Sequence, residues 1–367
     1  MHKVRFGIIG LGDIGRGHLK CLLHNNAAEV VALCDIEPKR LDQVSFFGVD
    51  KKAIASIPFF IDYRNILEIP SVDAVIICVP NYLHKSITLD ALDARKHVLL
   101  EKPLAHTFAD AKVLKEEIEK SKQKVQMGLV YRYSPFFRKM IHLIQTNIMG
   151  RVEMMWCKEF REPFPQMDWF YDKQKSGGTL IEKNTHHFDL FQWMTGSRPS
   201  RVVAMGGQNV IRYNEPRLIH CTYCAEPPKT IVHSTILDNA FVLIEYENGS
   251  RANLGLSMFI KPPSDSGNTL EIGAIGSQGL ELMSNVEKGL LKIHSGDPTE
   301  RKDFSMKLDT TFGHSGAFEQ HVEFIACIRD DKKPFADVNV GYESFLVAWA
   351  AEKSIEEKRM VHLSEFQ

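Results

Sequence analysis

Glu101 and Lys102 stand side by side after the apolar run His97-Val98-Leu99-Leu100, with Pro103 behind them. An acid and a base at the end of a buried strand, fixed by proline, suit a partly desolvated ammonium. Such a cation lowers the pKa of a bound hydroxyl and orients it, while Glu101 keeps the lysine in place. A surface ion pair is the bland alternative. A second set, Glu182, His186 and Asp189, follows Ser176-Gly177-Gly178-Thr179 at spacings of four and three, which puts all three on one helical face. Histidine takes a proton near neutral pH, and a carboxylate one turn away raises its basicity and fixes its tautomer. That is equipment for removing a proton from an alcohol as hydride leaves. Lys183 and His187 repeat the spacing of four, so helical geometry alone does not say which histidine faces a cleft. A capped helix with buried, hydrogen-bonded histidines reads the same way.

What would accept the hydride is written in the first residues. The apolar run Val4 to Ile9 leads into Gly10-Leu11-Gly12-Asp13-Ile14-Gly15, and Asp35 closes the next apolar run, Val30 to Cys34. Gly10 permits the tight turn, Gly12 removes the side chain that would block a pyrophosphate, and Gly15 lets the following helix pack close to the sheet. The phosphates then sit on a helix N-terminus, where unpaired N–H groups and the dipole favour an anion. Asp35 would accept hydrogen bonds from a ribose diol and repel a 2′-phosphate, so NAD is favoured over NADP, although Lys39 and Arg40 lie just beyond it. Val79-Pro80-Asn81-Tyr82-Leu83-His84 follows the fourth apolar run, and loops at strand carboxyl ends line the ligand crevice of such a sheet. Pro80, Asn81 and His84, with Glu101 and Lys102, are therefore expected beside the cofactor.

The elements that must position these groups alternate. Strands are expected at 4 to 9, 29 to 34, 57 to 60, 73 to 79, 97 to 100 and 124 to 128, with helical stretches at 13 to 25, 38 to 47, 83 to 95 and 107 to 122. That is an α/β, doubly wound parallel sheet. After about residue 128 the pattern changes: helices at 134 to 148 and 178 to 195, then mostly strands from 200 to 293, with Asn248-Gly249 as a hairpin turn between Phe241–Tyr246 and Arg251–Met258. An α+β domain on an open, mainly antiparallel sheet is expected, closed by helices at 313 to 330 and 341 to 358. The expected domains are 1 to 128 and 129 to 367, with the C-terminal helix packing back toward the first.

With 367 residues the chain has room for two cores. Charged residues make up 25%, hydrophobic ones 44%, and the net charge is -1, so no electrostatic footprint for nucleic acid or an anionic membrane is visible. No apolar stretch reaches membrane-spanning length, and the first strand begins too early for a signal peptide, which makes the cytoplasm the expected location. Seven cysteines scattered through apolar segments read as reduced thiols. Cys221 and Cys224 have ligand-like spacing, but no second ligand pair accompanies them, so no metal site is expected.

In combination these motifs resemble the glucose-fructose oxidoreductase and inositol dehydrogenase family, Gfo/Idh/MocA. The likeness runs across nearly the full chain: the glycine fingerprint, Pro80-Asn81 with His84, Lys96-His97-Val98 leading into Glu101-Lys102-Pro103-Leu104-Ala105, Tyr131-Arg132-Tyr133-Ser134-Pro135, and the glycine-opened helix ending in histidine. The resemblance implies that Lys102 is catalytic, that Glu182 and His186 are the acid and the catalytic histidine, and that the open sheet mediates homodimers or homotetramers. Ser176 replaces the first of a usual triple glycine, Glu182 the usual aspartate, and Lys183 an apolar residue, which suggests a branch of the family with an altered proton route.

The reading is an NAD-dependent oxidoreductase acting on a hydroxyl of a sugar, sugar derivative or inositol. His186 is general base, Lys102 stabilises the alkoxide, Glu182 positions His186 with Asp189 as support, and Arg132, Trp169 and Tyr171 are candidate substrate contacts. An NAD-dependent glycosidase using a transient redox cycle and a non-catalytic dinucleotide-sensing regulator are the rival classes.

Overall fold

A computed structural model describes residues 2–146, 148–165, 167–220, 227–260, 269–294 and 301–366. By internal contacts the chain divides into two units, residues 1–134 with 309–342 and residues 135–308 with 343–367.

The first unit is built on six strands: β1 (Val4–Ile9), β2 (Ala28–Cys34), β3 (Phe59–Phe60), β4 (Ala74–Ile77), β5 (His97–Glu101) and β6 (Val125–Gly128). They pair in parallel in the order β3-β2-β1-β4-β5-β6, a doubly wound sheet whose order reverses between β1 and β4. β4 is buried at every position, as a strand covered on both faces must be. The crossovers use α1 (Asp13–Leu23), the short α2 (Lys51–Ile54) and α3 (Arg64–Leu67), α4 (His84–Asp93) and α5 (Phe108–Lys120). Residues 38 to 47, expected as a helix, form a 3-10 helix opened by Pro38 and closed by Gly48. Thr107 caps α5 by accepting from the Asp110 N–H, which ends the loop after β5 at a fixed point.

The second unit carries α6 (Pro135–Gln145), the long strand β7 (Val152–Phe160), the single turns α7 (Asp168–Tyr171) and α8 (Lys173–Ser176), and α9 (Thr179–Thr195). Strands follow: β8 (Pro199–Gly207), β9 (Arg217–Ile219), β10 (Lys229–Ile231), β11 (Asn239–Tyr246), β12 (Arg251–Ser257), β13 (Thr269–Gly276), β14 (Glu281–Asn285), β15 (Leu290–His294) and β16 (Lys302–Ser305). Helices α10 (Ala317–Arg329, in the first unit) and α11 (Val338–Glu357) and strand β17 (Val361–His362) close the chain. Nine strands make one sheet, β16-β15-β14-β13-β7-β12-β11-β8-β17, antiparallel except where β7 lies parallel to β12. The Asn248-Gly249 turn joins β11 to β12 as a hairpin, with Gly249 at φ 85. Alternation along β11 buries Ala240, Val242, Ile244 and Tyr246 and leaves Phe241 and Leu243 exposed.

α9 is buried almost along its whole length, polar residues included. Its start explains the glycine pair. Gly178 stands at φ 110, and a Cβ there would come within 2.6 Å of the Glu352 carboxylate. That carboxyl group, from α11, accepts the Leu180 N–H at 3.1 Å and so caps the start of the helix.

Candidate functional site

In the first unit the turn from β1 into α1 is held from below. Gly10 has φ 95, and a Cβ at Gly15 would collide with the Gly10 carbonyl, so both glycines are required by the backbone itself. Around a Cβ on Gly12 there would be nothing within 4 Å. That open space, at an eleven-residue helix whose first N–H groups lack intrahelical acceptors, fits a pyrophosphate. Asp35 grips the same turn: Oδ2 accepts the Leu11 N–H at 2.7 Å and Oδ1 accepts the Glu37 N–H at 2.9 Å. Each oxygen keeps a second lone-pair direction, which suits a ribose diol. Asp13, an acid in a turn meant for an anion, pairs with Arg16. Arg16 is fully buried, donates to the Leu11 carbonyl at 3.0 Å, and lies over the Phe47 ring. Sequence reasoning passed over Arg16; its signal is a charged residue directly after the fingerprint glycine, and it turns toward Gln43 and Phe47 of the 3-10 helix.

The loops after β4 and β5 are tied together by His84. The ring is 1% exposed, with Nδ1 2.8 Å from the Pro103 carbonyl and Nε2 3.1 Å from the Val79 carbonyl. Only an imidazolium would donate to both. Burial pushes its pKa down to about 4, so at neutral pH it donates once. His84 therefore braces the two loops. Pro80 precedes a 3-10 turn over Asn81–Leu83, in which Asn81 is buried. Lys102 is half-buried and precedes a cis peptide bond to Pro103. Glu101 folds back so that Oε2 accepts the Lys102 N–H at 3.2 Å while Oε1 lies 3.1 Å from His18 Nε2. Burial alone would raise the Glu101 pKa. The His18 hydrogen bond and charge, with Lys102, outweigh it and hold the carboxyl below its usual range.

In the second unit α9 presents two adjacent stripes. Glu182 and His186, each 6% exposed, occupy one, with Asp189 buried below them. Lys183 and His187 occupy the next and meet Glu159 of β7: Lys183 Nζ lies 3.3 Å from Oε1, and His187 Nε2 lies 3.2 Å from Oε2. Arg161 adds a third contact at 3.7 Å. Asn184 Nδ2 lies 3.2 Å from His187 Nδ1, and an amide nitrogen there can only donate, so His187 is the neutral tautomer with its proton on Nε2, facing Glu159. Glu159 was not singled out in the sequence, because a strand glutamate carries no hint of a helix partner 24 or 28 positions later.

Burial would raise the pKa of Glu159, but Lys183, the His187 hydrogen bond and Arg161 hold it well below the usual carboxylate range. The folded value thus lies below the unfolded one. The cluster's contribution is complete above the ordinary value of 4.5 and is lost as pH falls toward the folded value. Glu159→Ala removes the carboxylate that faces three partners and is expected to lower unfolding free energy at pH 7 by about 3 kcal/mol. Urea denaturation measures it, and a loss below about 1 kcal/mol, the range of exposed pairs, would contradict a buried ionic cluster.

Of the other expected contacts, Arg132 is buried in the first unit with its guanidinium over the Phe335 ring. Trp169 is half-buried and stacks on Phe170. Tyr171 is buried and donates its hydroxyl to the Phe164 carbonyl at 2.8 Å, which makes it a packing residue. Cys221 and Cys224 lie outside the described residues. Among the described residues no cluster of three or more His, Cys, Asp or Glu could hold a metal ion. Nor is any helix there long and apolar enough to cross a membrane.

Residues 4–129 match the GFO_IDH_MocA family model described as an oxidoreductase family with an NAD-binding Rossmann fold, and residues 141–363 match its C-terminal alpha/beta domain. The chain belongs to this family. It is an oxidoreductase with NAD as its nucleotide. Relatives run nearly end to end: the myo-inositol 2-dehydrogenase of Thermotoga maritima is 24% identical over 99% of both chains, and the inositol 2-dehydrogenase of Rhizobium meliloti 25% identical over 98% of this chain and 99% of that one. The fold of levoglucosan dehydrogenase, solved with NADH, superposes with a TM-score of 0.80 over 99% of both chains at 18% identity.

Proposed function

We propose that this NAD-dependent dehydrogenase moves a hydride between the nicotinamide and a hydroxyl-bearing carbon of a sugar, sugar derivative or inositol. What carries the reading is that a chain aligned nearly end to end with two inositol dehydrogenases keeps Lys102 behind a buried strand and Glu182 one turn before His186.

NAD, when bound, supplies the carbon that accepts the hydride. Gly10, Gly12, Asp13, Ile14 and Gly15 form the phosphate turn, Asp35 takes the ribose diol, and Pro80, Asn81, His84 and Glu101 shape the loops beside it. His186 takes the hydroxyl proton, and Glu182 orients the imidazole. The Lys102 ammonium stabilises the negative charge of an alkoxide as it grows. Trp169 and Arg132 offer an aromatic face and guanidinium donors to a polyhydroxylated ligand.

The reading includes a homodimer or homotetramer, supported by the sheet face on which Met154, Met205, Phe241 and Leu243 stay exposed. It also includes a cytoplasmic location, supported by the free thiols of Cys21, Cys34, Cys78, Cys157 and Cys327. Sugars and inositols are screened for absorbance of reduced cofactor at neutral and alkaline pH, with light scattering giving the mass of the same preparation. At least one polyol is expected to reduce NAD. Glycoside cleavage without net NADH would move the protein to the redox-cycling hydrolases, and binding without turnover on the whole panel would make it a dinucleotide sensor.

A further inference from the structure

The first unit contains a buried hydrogen-bonded chain whose two histidines the reaction above does not use. His18 of α1 lies between two partners: Nε2 is 3.1 Å from Glu101 Oε1, and Nδ1 is 2.8 Å from His321 Nε2 on α10. His321 in turn places Nδ1 2.6 Å from the Ala317 carbonyl. Both histidines are buried, and their rings meet edge to face.

Donor and acceptor roles follow from the far end. A backbone carbonyl only accepts, so His321 carries its proton on Nδ1. Burial pushes the His321 pKa down to about 3, so the ring is neutral and Nε2 is a lone pair. His18 must then donate from Nδ1. Its other nitrogen faces a carboxylate, which also accepts, so one ring has to supply two N–H bonds. His84 meets two neutral carbonyls and is not charged by them; His18 meets a carboxylate, and that difference in charge is what keeps a second proton on the ring. Space for the arrangement is made by Gly128, where a Cβ would stand 2.5 Å from Glu101 Oε1.

We propose that His18, held between Glu101 and His321, is an imidazolium in the folded protein, and that this ion pair fixes the peptide of Lys102 through the second oxygen of Glu101. His18 and His321 are positioning residues: they touch Glu101, and Glu101 touches the Lys102 N–H. Their link to turnover rests on the reading of Lys102 given above. Removing the His18 donor to Oε1 leaves a buried carboxylate short of a partner and releases the grip of Oε2 on Lys102. The other titratable groups facing Glu101 are Lys102, the Cys78 thiol at the end of β4 and His84 of α4. Burial drives Cys78 up and His84 down, so neither changes charge near neutrality. On α1 itself Arg16 is paired with Asp13, and Cys21, pushed up to about 12 by burial, feels Glu319 of α10.

The test is nitrogen NMR on the full chain with selectively labelled histidine and lysine. At pH 7 both His18 ring nitrogens are expected to be protonated, and the Lys102 backbone amide is expected to shift when His18→Phe removes the donor to Glu101. His321→Gln keeps an acceptor and should preserve this state, whereas His321→Phe removes the acceptor facing Nδ1 and should leave only one ring nitrogen of His18 protonated at pH 7. A neutral His18 ring in the wild-type protein at pH 7 overturns the proposal even if no variant folds, and so does a Lys102 amide unmoved in a folded His18→Phe protein. Neither readout needs a substrate, so failure of the dehydrogenase reading leaves the result standing.

Discussion

Lys102→Ala is expected to lower kcat by about 10²–10³-fold while weakening NAD binding far less. A donor aimed at the oxygen where charge develops acts mainly on the transition state, so its loss appears in kcat and kcat/KM together. If Lys102 were only half of an exposed ion pair, its removal would cost less than about 1 kcal/mol, roughly fivefold. Stopped-flow measurement of cofactor reduction, with NAD affinity measured separately by calorimetry, separates the two cases. Lys102→Arg keeps the charge but replaces a compact ammonium on a flexible stem with a planar fork, so only partial recovery is expected. Near-native turnover by the alanine variant would remove Lys102 from the chemistry.

The second large effect concerns the two neighbouring histidines, which are expected to fail in different ways. His186→Ala should lower kcat about 10²–10⁴-fold at neutral pH, with the deficit shrinking at alkaline pH as hydroxide takes over the proton. His187→Ala should act on stability, because His187 is committed to Glu159 on one side and Asn184 on the other. Its folded fraction should therefore turn over near normally. Burial lowers the His187 pKa against the pull of Glu159, which leaves the ring a poor proton acceptor. Steady-state rates over pH, paired with urea denaturation of each variant, give both readouts. The reverse pattern, a dispensable His186 and a silent pH profile, would exchange their roles. Glu182→Gln belongs with His186 and should retain the fold while losing part of the rate.

The parallel sheet and the later antiparallel strands were legible because their signals are local, whereas the return of residues 309–342 to the first unit was not. Glycines at positions 10, 12 and 15 answer to backbone geometry within one turn, an unbroken apolar run such as Ala74–Ile77 marks a strand buried on both faces, and Asn248-Gly249 sets a hairpin by its own φ preferences. Spacing of three and four likewise puts Glu182, His186 and Asp189 on one stripe of α9 and Lys183 and His187 on the next.

What those stripes meet was decided elsewhere in the chain. Glu159 on β7 claims His187, Glu352 on α11 caps the glycine-opened helix, and His321, 303 residues beyond His18, fixes which nitrogen of that ring must donate. Periodicity defines a face and the residue types on it. It carries no information about the opposing surface, and burial, tautomer and charge are properties of the pair, not of either partner alone. The sequence alone therefore determined the fold class, the nucleotide turn and the candidate acid–base residues, and only the packing of distant elements decided which side chains are held, which are charged and by what.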